Sequence, residues 1–491
     1  MRLFLILLLL FSAFSDAQEE HKHPVPEELG AVSFPTSCQP HTQREFNRAA
    51  ALLHSFAYST AETAFETVAE QDPQCAIAHW GIAMTHFHQL WDLPPSPSDT
   101  SAAQKALRHA ATLEEASPRE RALIDALSFV FNDADVVPFS ARALKYETAM
   151  RELAAANPSD VEIQVFYALA LISNASPSDK EHRRQKQAAD LLEPLYRQFP
   201  NHPGIAHYLI HACDNQELAA RGLPAARAYA MIAPSAPHAL HMPSHIFTRL
   251  GLWDDSITSN LAAMSAAQQQ GDIGEQLHAM DYLVYAYLQR GHDRDALRVI
   301  DELNRMQNLE PGSFKIGYAA TAMPVRYAVE RHQWSDAEKI NNPADSAPPQ
   351  VVAISVWARG LGFAHNSHIQ AADKETETLR QIEGRLRASG NGYWASQVGI
   401  MRREDLAWSA QAANRPREAA DLMRGAADDE DRIEKLPVTP GPIIPAREQL
   451  GDLLLEQGDV SSALKAFELA LANAPGRRGA LQGIVQAKRS H

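Results

Sequence analysis

The stretch "APHALHMPSHIFTRLGLW", Ala236 to Trp253, sets His238, His241 and His245 three and then four residues apart. On an α-helix these positions fall within about a sixth of the circumference. Neutral imidazole is the commonest metal-ligand side chain, and an i, i+4 pair can hold one ion from a single helix. Histidine is dense here: six of the chain's 21 histidines lie between His202 and His245. His207 and His211, in "HYLIHACD", form another i, i+4 pair, and His241 and His245 follow them by 34 residues. Forty residues beyond His238, His241 and His245 stand His278, Asp281 and Tyr285, and Gly251 maps onto Gly291 in the same register.

The chemistry that wants this pattern is metal binding, with His207, His211, His238, His241, His245, His278 and Asp281 as the candidate ligands. Three histidines, or two and a carboxylate, leave a coordination position open to water or substrate. Imidazole suits zinc, copper, iron or nickel, and nothing in the sequence chooses among them. Tyr282 and Tyr285 follow the last ligands and are expected to line the same groove as hydrogen-bond donors, with plain packing as the alternative. Cys213, two residues from His211, points to the other side of its helix. Pro243 leaves two geometries open. Either it kinks one helix, or it opens a helix and leaves His238 and His241 in the approach. A second group, His79, His86 and His88 in "AHWGIAMTHFHQLWDLP", reads as a packing helix with an aromatic lip.

The elements that must position these residues are visible at the C-terminal end. "REQLGDLLLEQGDVSSALKAFELALANAP" places Leu450, Gly451, Leu454, Ala463, Phe467, Ala470 and Pro475 at tetratricopeptide spacing. Gly451 and Ala463 are small where two helices cross, Gly458-Asp459 turns, and Pro475 stops the second helix. Ala61, Phe65 and Pro73 repeat that grammar near the start, with weaker copies at "YAYLQRGHDRDALRVIDEL" and "YAVERHQWSDAEKI". One helix pair cannot bury its apolar face alone, so stacked pairs share a core. The expected fold is all-α: a TPR-like α-solenoid of stacked antiparallel helix pairs, with equivalent first helices side by side on the concave surface. The Pro/Ser-rich "DLPPSPSDTS" is expected to be a long connection.

With "CAIAHWGIAM", "HYLIHACD", "APHALHMPSHIFTRLGLWDDSITSN" and "DYLVYAYLQRG" in this order, the chain resembles a family of exported bacterial tetratricopeptide-repeat (TPR) proteins of largely unassigned function. The resemblance implies fold and export, and carries no activity.

The opening "MRLFLILLLLFSAFSDA" has a basic Arg2, a short apolar run and small residues at Ser15 and Ala17, the pattern of a secretory signal peptide. The expected organisation is a signal peptide at 1–17, an extended polar lead at 18–40 and the solenoid at 41–488. The apolar run is too short to span a bilayer, and no later segment is long and apolar enough. A periplasmic or secreted location follows. In an oxidising compartment Cys38 and Cys75, which flank one helix pair, are a plausible disulfide, leaving Cys213 free. A formal charge of −15 speaks against nucleic acid as partner.

Three functions fit these features. The first is an exported solenoid that binds a transition metal in its concave groove. The second is a scaffold holding a peptide, protein or small-molecule ligand there without metal. The third is a metal-dependent hydrolase or oxidase. No G-x-S-x-G, phosphate loop, H-E-x-x-H or dinucleotide fingerprint is present, so catalysis would have to run through the histidines.

Overall fold

The computed structural model describes residues 27–90, 94–307, 309–310 and 312–489. The stretch expected to be a signal peptide lies outside them. The described residues form helices without a strand, in an order of antiparallel neighbours that makes a TPR-like α-solenoid.

The two ends use one packing device. A Cβ on Gly451 would lie 2.5 Å from the Phe467 ring, and one on Gly483 would lie 2.3 Å from it. At the other end a Cβ on Gly81 would lie 2.4 Å from Phe65. Both phenylalanines are fully buried. A bare backbone is what lets helix surfaces close over an aromatic ring at van der Waals density. The turn between Ala446–Glu456 and Val460–Asn473 uses Gly458 at φ 80° and Asp459, whose side chain accepts from the Ser462 N–H.

Some local expectations need correction. Ser96 caps a helix, Pro97–Thr112, that begins inside the Pro/Ser-rich stretch expected as a connection, because Pro is well suited to a first helical position. The second helix of the "YAVERHQWSDAEKI" copy shrinks to Trp334–Ala337, ahead of an irregular stretch that contains Pro343. The lead, described from residue 27, is extended but fastened by apolar anchors. Phe34 has no exposed surface, the Ala31 N–H donates to the Asn201 carbonyl, and Cys38 is disulfide-bonded to Cys75. Cys213 is buried and free.

The largest departure concerns the concave face. It was expected to be a groove lined by Tyr282 and Tyr285; instead both are buried, because the chain's own C-terminal part fills that side. The Tyr282 hydroxyl donates to the Thr439 carbonyl oxygen at 3.2 Å. Tyr285 takes the Arg477 guanidinium, which pairs with Glu330 and Glu448. The Glu434 N–H reaches the Pro177 carbonyl oxygen at 2.8 Å, tying the same segment to the N-terminal half.

His365 shows what a histidine used for packing looks like here. Its ring stacks on Trp334 at 3.8 Å and touches Trp408 at 4.1 Å, and its Nε2 has no hydrogen bond. Burial, with a smaller push from His332, lowers its pKa to about 3. Staying neutral contributes stability that is complete above about pH 6.5 and is lost as pH falls toward the folded value. His365→Phe should therefore match the wild type at pH 8 and become the more stable below pH 6.5, by at most about 1.4 kcal/mol per pH unit. Urea midpoints along a pH series measure this, and parallel curves would contradict it.

Candidate metal centre

Four helices supply the central histidines. Pro203–Cys213 carries His207 and His211, and Ile273–Arg290 carries His278. Between them lie Pro237–His241 and Pro243–Arg249, joined by Met242 in helical conformation. Pro203 and Pro237 both stand at first helical positions, 34 residues apart. Pro243 has no N–H to continue the ladder, so the axis breaks there without leaving the helical path. His238 and His241 thus sit in a short helix of their own, with His245 in the next.

The imidazoles gather into two trios, His207/His211/His238 and His241/His245/His278, the potential ligand atoms of each lying within 4.8 Å of one another. All six are buried. Two nitrogens on one ion at about 2.0–2.1 Å stand roughly 3.3 Å apart in tetrahedral geometry. His241 Nε2 and His245 Nε2 are 3.1 Å apart.

That short distance has a consequence fixed by the outer partners. His241 Nδ1 lies 2.6 Å from Asn260 Oδ1, and Asn260 is oriented by donating its own amide to the Ser256 carbonyl oxygen. His245 Nδ1 lies 2.9 Å from Asp214 Oδ2. Each acceptor places the ring proton on Nδ1, so both Nε2 atoms present lone pairs to each other. Burial lowers the His241 pKa well below the ordinary histidine value, and lowers that of His245 to about 4 despite Asp214. Neutral rings in this pose repel unless a cation sits between them.

The other trio is oriented in the same way. His207 Nδ1 donates to the His54 carbonyl oxygen at 2.6 Å, and His238 Nδ1 to Glu275 at 3.1 Å. Neither His207 Nε2 nor either nitrogen of His211 has a hydrogen bond. Leaving buried polar atoms unpaired is costly, and a metal would use them. Burial, reinforced by neighbouring imidazoles, keeps His207, His211 and His278 neutral by lowering each pKa well below its ordinary value.

A third trio, His54, Glu162 and His202, already has its partners. Both histidines donate to Glu162, at 2.9 and 3.0 Å, while the remaining nitrogens meet the Tyr208 hydroxyl and the Ile205 N–H. It acts as a support that fixes His54, whose carbonyl orients His207.

Of the remaining sequence candidates, Asp281 joins neither trio. Its carboxylate faces Arg326 at 3.9 Å and makes no hydrogen bond, and burial raises its pKa to about 6 even with that cation opposite. One turn along the helix from His278, the surface has rotated toward the Phe314–Val329 helix. Tyr282 packs on the rings of His241 and His245, at 4.8 and 5.1 Å, whereas Tyr285 belongs to the Arg477 cluster. His79, His86 and His88 lie apart: His79 meets His109, His86 pairs with Glu62 and Asp99, and His88 packs on Tyr58. The orienting groups Glu275, Asn260, His54 and Asp214 are not among the ligands that the sequence pattern singles out. Asp214 and Glu275 each stand three residues from a candidate ligand, His211 and His278, and are the two that the sequence could have offered.

No known family model and no curated protein matches the sequence. Solved structures similar in architecture include the human IFIT1 dimer with m7Gppp-AAAA, at 11% identity and TM-score 0.38, covering 84% of this chain and 90% of that one. The APC/C hetero-tetramer Cut9-Hcn1 is similar at 10% identity and TM-score 0.34, over 91% of this chain and 76% of that one. A STAND protein with a tetratricopeptide repeat sensor from Pyrococcus horikoshii has 12% identity and TM-score 0.32, over 87% and 61%. None is close enough to lend this chain a ligand.

Asp214 is the electrostatic centre of the site. Burial alone would raise its pKa, but Lys435, Arg249 and His245 hold it well below the ordinary value. Arg249 Nε and Lys435 Nζ stand 2.9 and 2.7 Å from its two oxygens. Asp214→Asn leaves two buried cations without their shared counter-charge, a loss of about 3–5 kcal/mol in comparable cases. Equilibrium denaturation of the metal-free variant should show a loss of that order. A change under 1 kcal/mol would mean that solvent reaches these cations.

Proposed function

We propose that this chain is an exported tetratricopeptide-type solenoid whose buried histidine cluster binds a transition metal. The observation that carries this reading is the approach of His241 Nε2 and His245 Nε2 to 3.1 Å, with each Nδ1 beside an acceptor that favours its proton there. A metal-ligating histidine commonly donates its other ring N–H to a carboxylate or carbonyl, which fixes the tautomer and raises basicity. Four of the six imidazoles have such an acceptor. His365, a packing histidine, has none on its Nε2.

Burial of the cluster beneath the chain's C-terminal part favours this reading over a peptide held directly by these imidazoles. The Cys38–Cys75 bridge supports an oxidising compartment and hence export. The ligand set is all-imidazole, and Asp281 is not part of it. When bound, the metal supplies a Lewis-acidic or redox-active centre; the protein supplies the oriented imidazoles and a site that excludes water.

Protein purified without a histidine tag should contain transition metal by elemental analysis. Zinc or copper restored to stripped protein should raise Tm, corresponding to about 2.7 kcal/mol at a hundred-fold excess of free metal over Kd. The double change His241→Ala, His245→Ala should remove that response with helicity intact. Asn260→Ala should weaken metal affinity by about 10–100-fold. If wild type and double variant melt alike with and without metal, the reading fails.

A further inference from the structure

The two trios form one continuous cluster. Ring pairs that cross between them, His211–His245 and His238–His241, have centroids 5.9 and 6.1 Å apart. Within the trios four ring pairs are closer, at 4.2 to 5.0 Å, while the longest, His211–His238 at 6.4 Å and His245–His278 at 6.1 Å, match the crossing distances. Ions held by each set of three would therefore be neighbours, in the range where one small molecule touches both; paired metals in such sites typically lie about 3.5–4 Å apart.

Charge narrows the choice of ion. All six ligands are imidazoles, which bind metal in the neutral form, and no carboxylate lies among them. The nearest carboxylates are already matched: Asp214 by Arg249 and Lys435, and Glu275 by Lys315. Two divalent ions would bring four positive charges into a buried site with no anionic ligand, and burying uncompensated charge is very costly. Two monovalent ions bring half as much. Among metals suited to imidazole, copper is the one with a common monovalent state.

Building on the metal-binding reading above, we propose that the six imidazoles hold a pair of cuprous ions, three imidazoles to each, and that the ligand this pair takes is dioxygen. Each cuprous ion gives one electron to dioxygen. The molecule gains two electrons and becomes a peroxide dianion between two cupric ions, with no proton and no further reductant required. The total charge of the unit is the same before and after, so the buried site meets no new electrostatic cost. Phe56 packs on His207 and His238, at 4.4 and 5.5 Å, and Tyr282 packs on His241 and His245, at 4.8 and 5.1 Å, so an aromatic ring flanks each trio.

The test loads metal-free full-length protein with cuprous ion without oxygen, removes the excess, and then admits dioxygen. Expected are two coppers per chain, uptake of one dioxygen per chain, and an intense near-ultraviolet charge-transfer band. Cupric ions sharing a ligand couple their spins, so the integrated paramagnetic resonance signal should fall far below two spins per chain. His207→Ala with His211→Ala, and separately His241→Ala with His245→Ala, should each reduce the content to one copper, abolish the band and restore a full one-spin signal on oxidation. One copper per wild-type chain would overturn the pair and leave the metal-binding reading standing. Two coppers with a full two-spin signal would overturn the shared ligand. Absence of any transition-metal binding would overturn both readings. The wild-type copper and spin counts decide the matter even if a variant fails to fold.

Discussion

Two nitrogen lone pairs face each other in the interior, on His241 and His245, and neither ring can turn away. Each is held from behind, by Asn260 on one side and by Asp214 on the other. Those holders are themselves held: Asn260 by the carbonyl of Ser256 in its own helix, and Asp214 by two buried cations, one of which comes from residue 435. The confrontation therefore rests on a chain of hydrogen bonds that spans much of the sequence. Buried polar networks of this kind are stable when every member is satisfied and costly when one is not.

The helix-pair architecture and the density of ligand-type residues were both legible in the sequence. A solenoid writes its period into one dimension, so His207/His211 and His241/His245 stand at a visible offset of 34 residues. The small residue beneath each aromatic ring was equally readable, as with Gly451 and Phe467. The groups distant in sequence were hidden because they depend on superhelix curvature. His54 meets His207 across 153 positions, and Lys435 meets Asp214 across 221. Periodicity also carried the reading one step too far at Asp281 and Tyr285. They follow the repeat register, but their helix has by then turned toward Arg326 and Arg477.

The concave face illustrates a second limit. A repeat pattern predicts a groove but not what fills it. Here the loop near Thr439 and the Arg477 cluster occupy that side, converting a surface into an interior. The same imidazoles on an open groove would be hydrated and free to protonate near neutral pH. Beneath the C-terminal part they are desolvated, and burial is the largest cause lowering the pKa of His207, His211, His241, His245 and His278.

That closure also bears on the order of events in the making of the protein. Groups that shape the cluster come from residue 54 near one end and from residues 435 and 439 near the other. A chain still emerging from the ribosome holds the ligands but lacks the part that covers them. Until the last repeats dock, the imidazoles are open to any passing ion and to water; afterwards, exchange requires the C-terminal segment to lift. The final hundred residues thus behave as a latch. How fast the cluster takes up or gives back an ion is then set by how readily that latch opens.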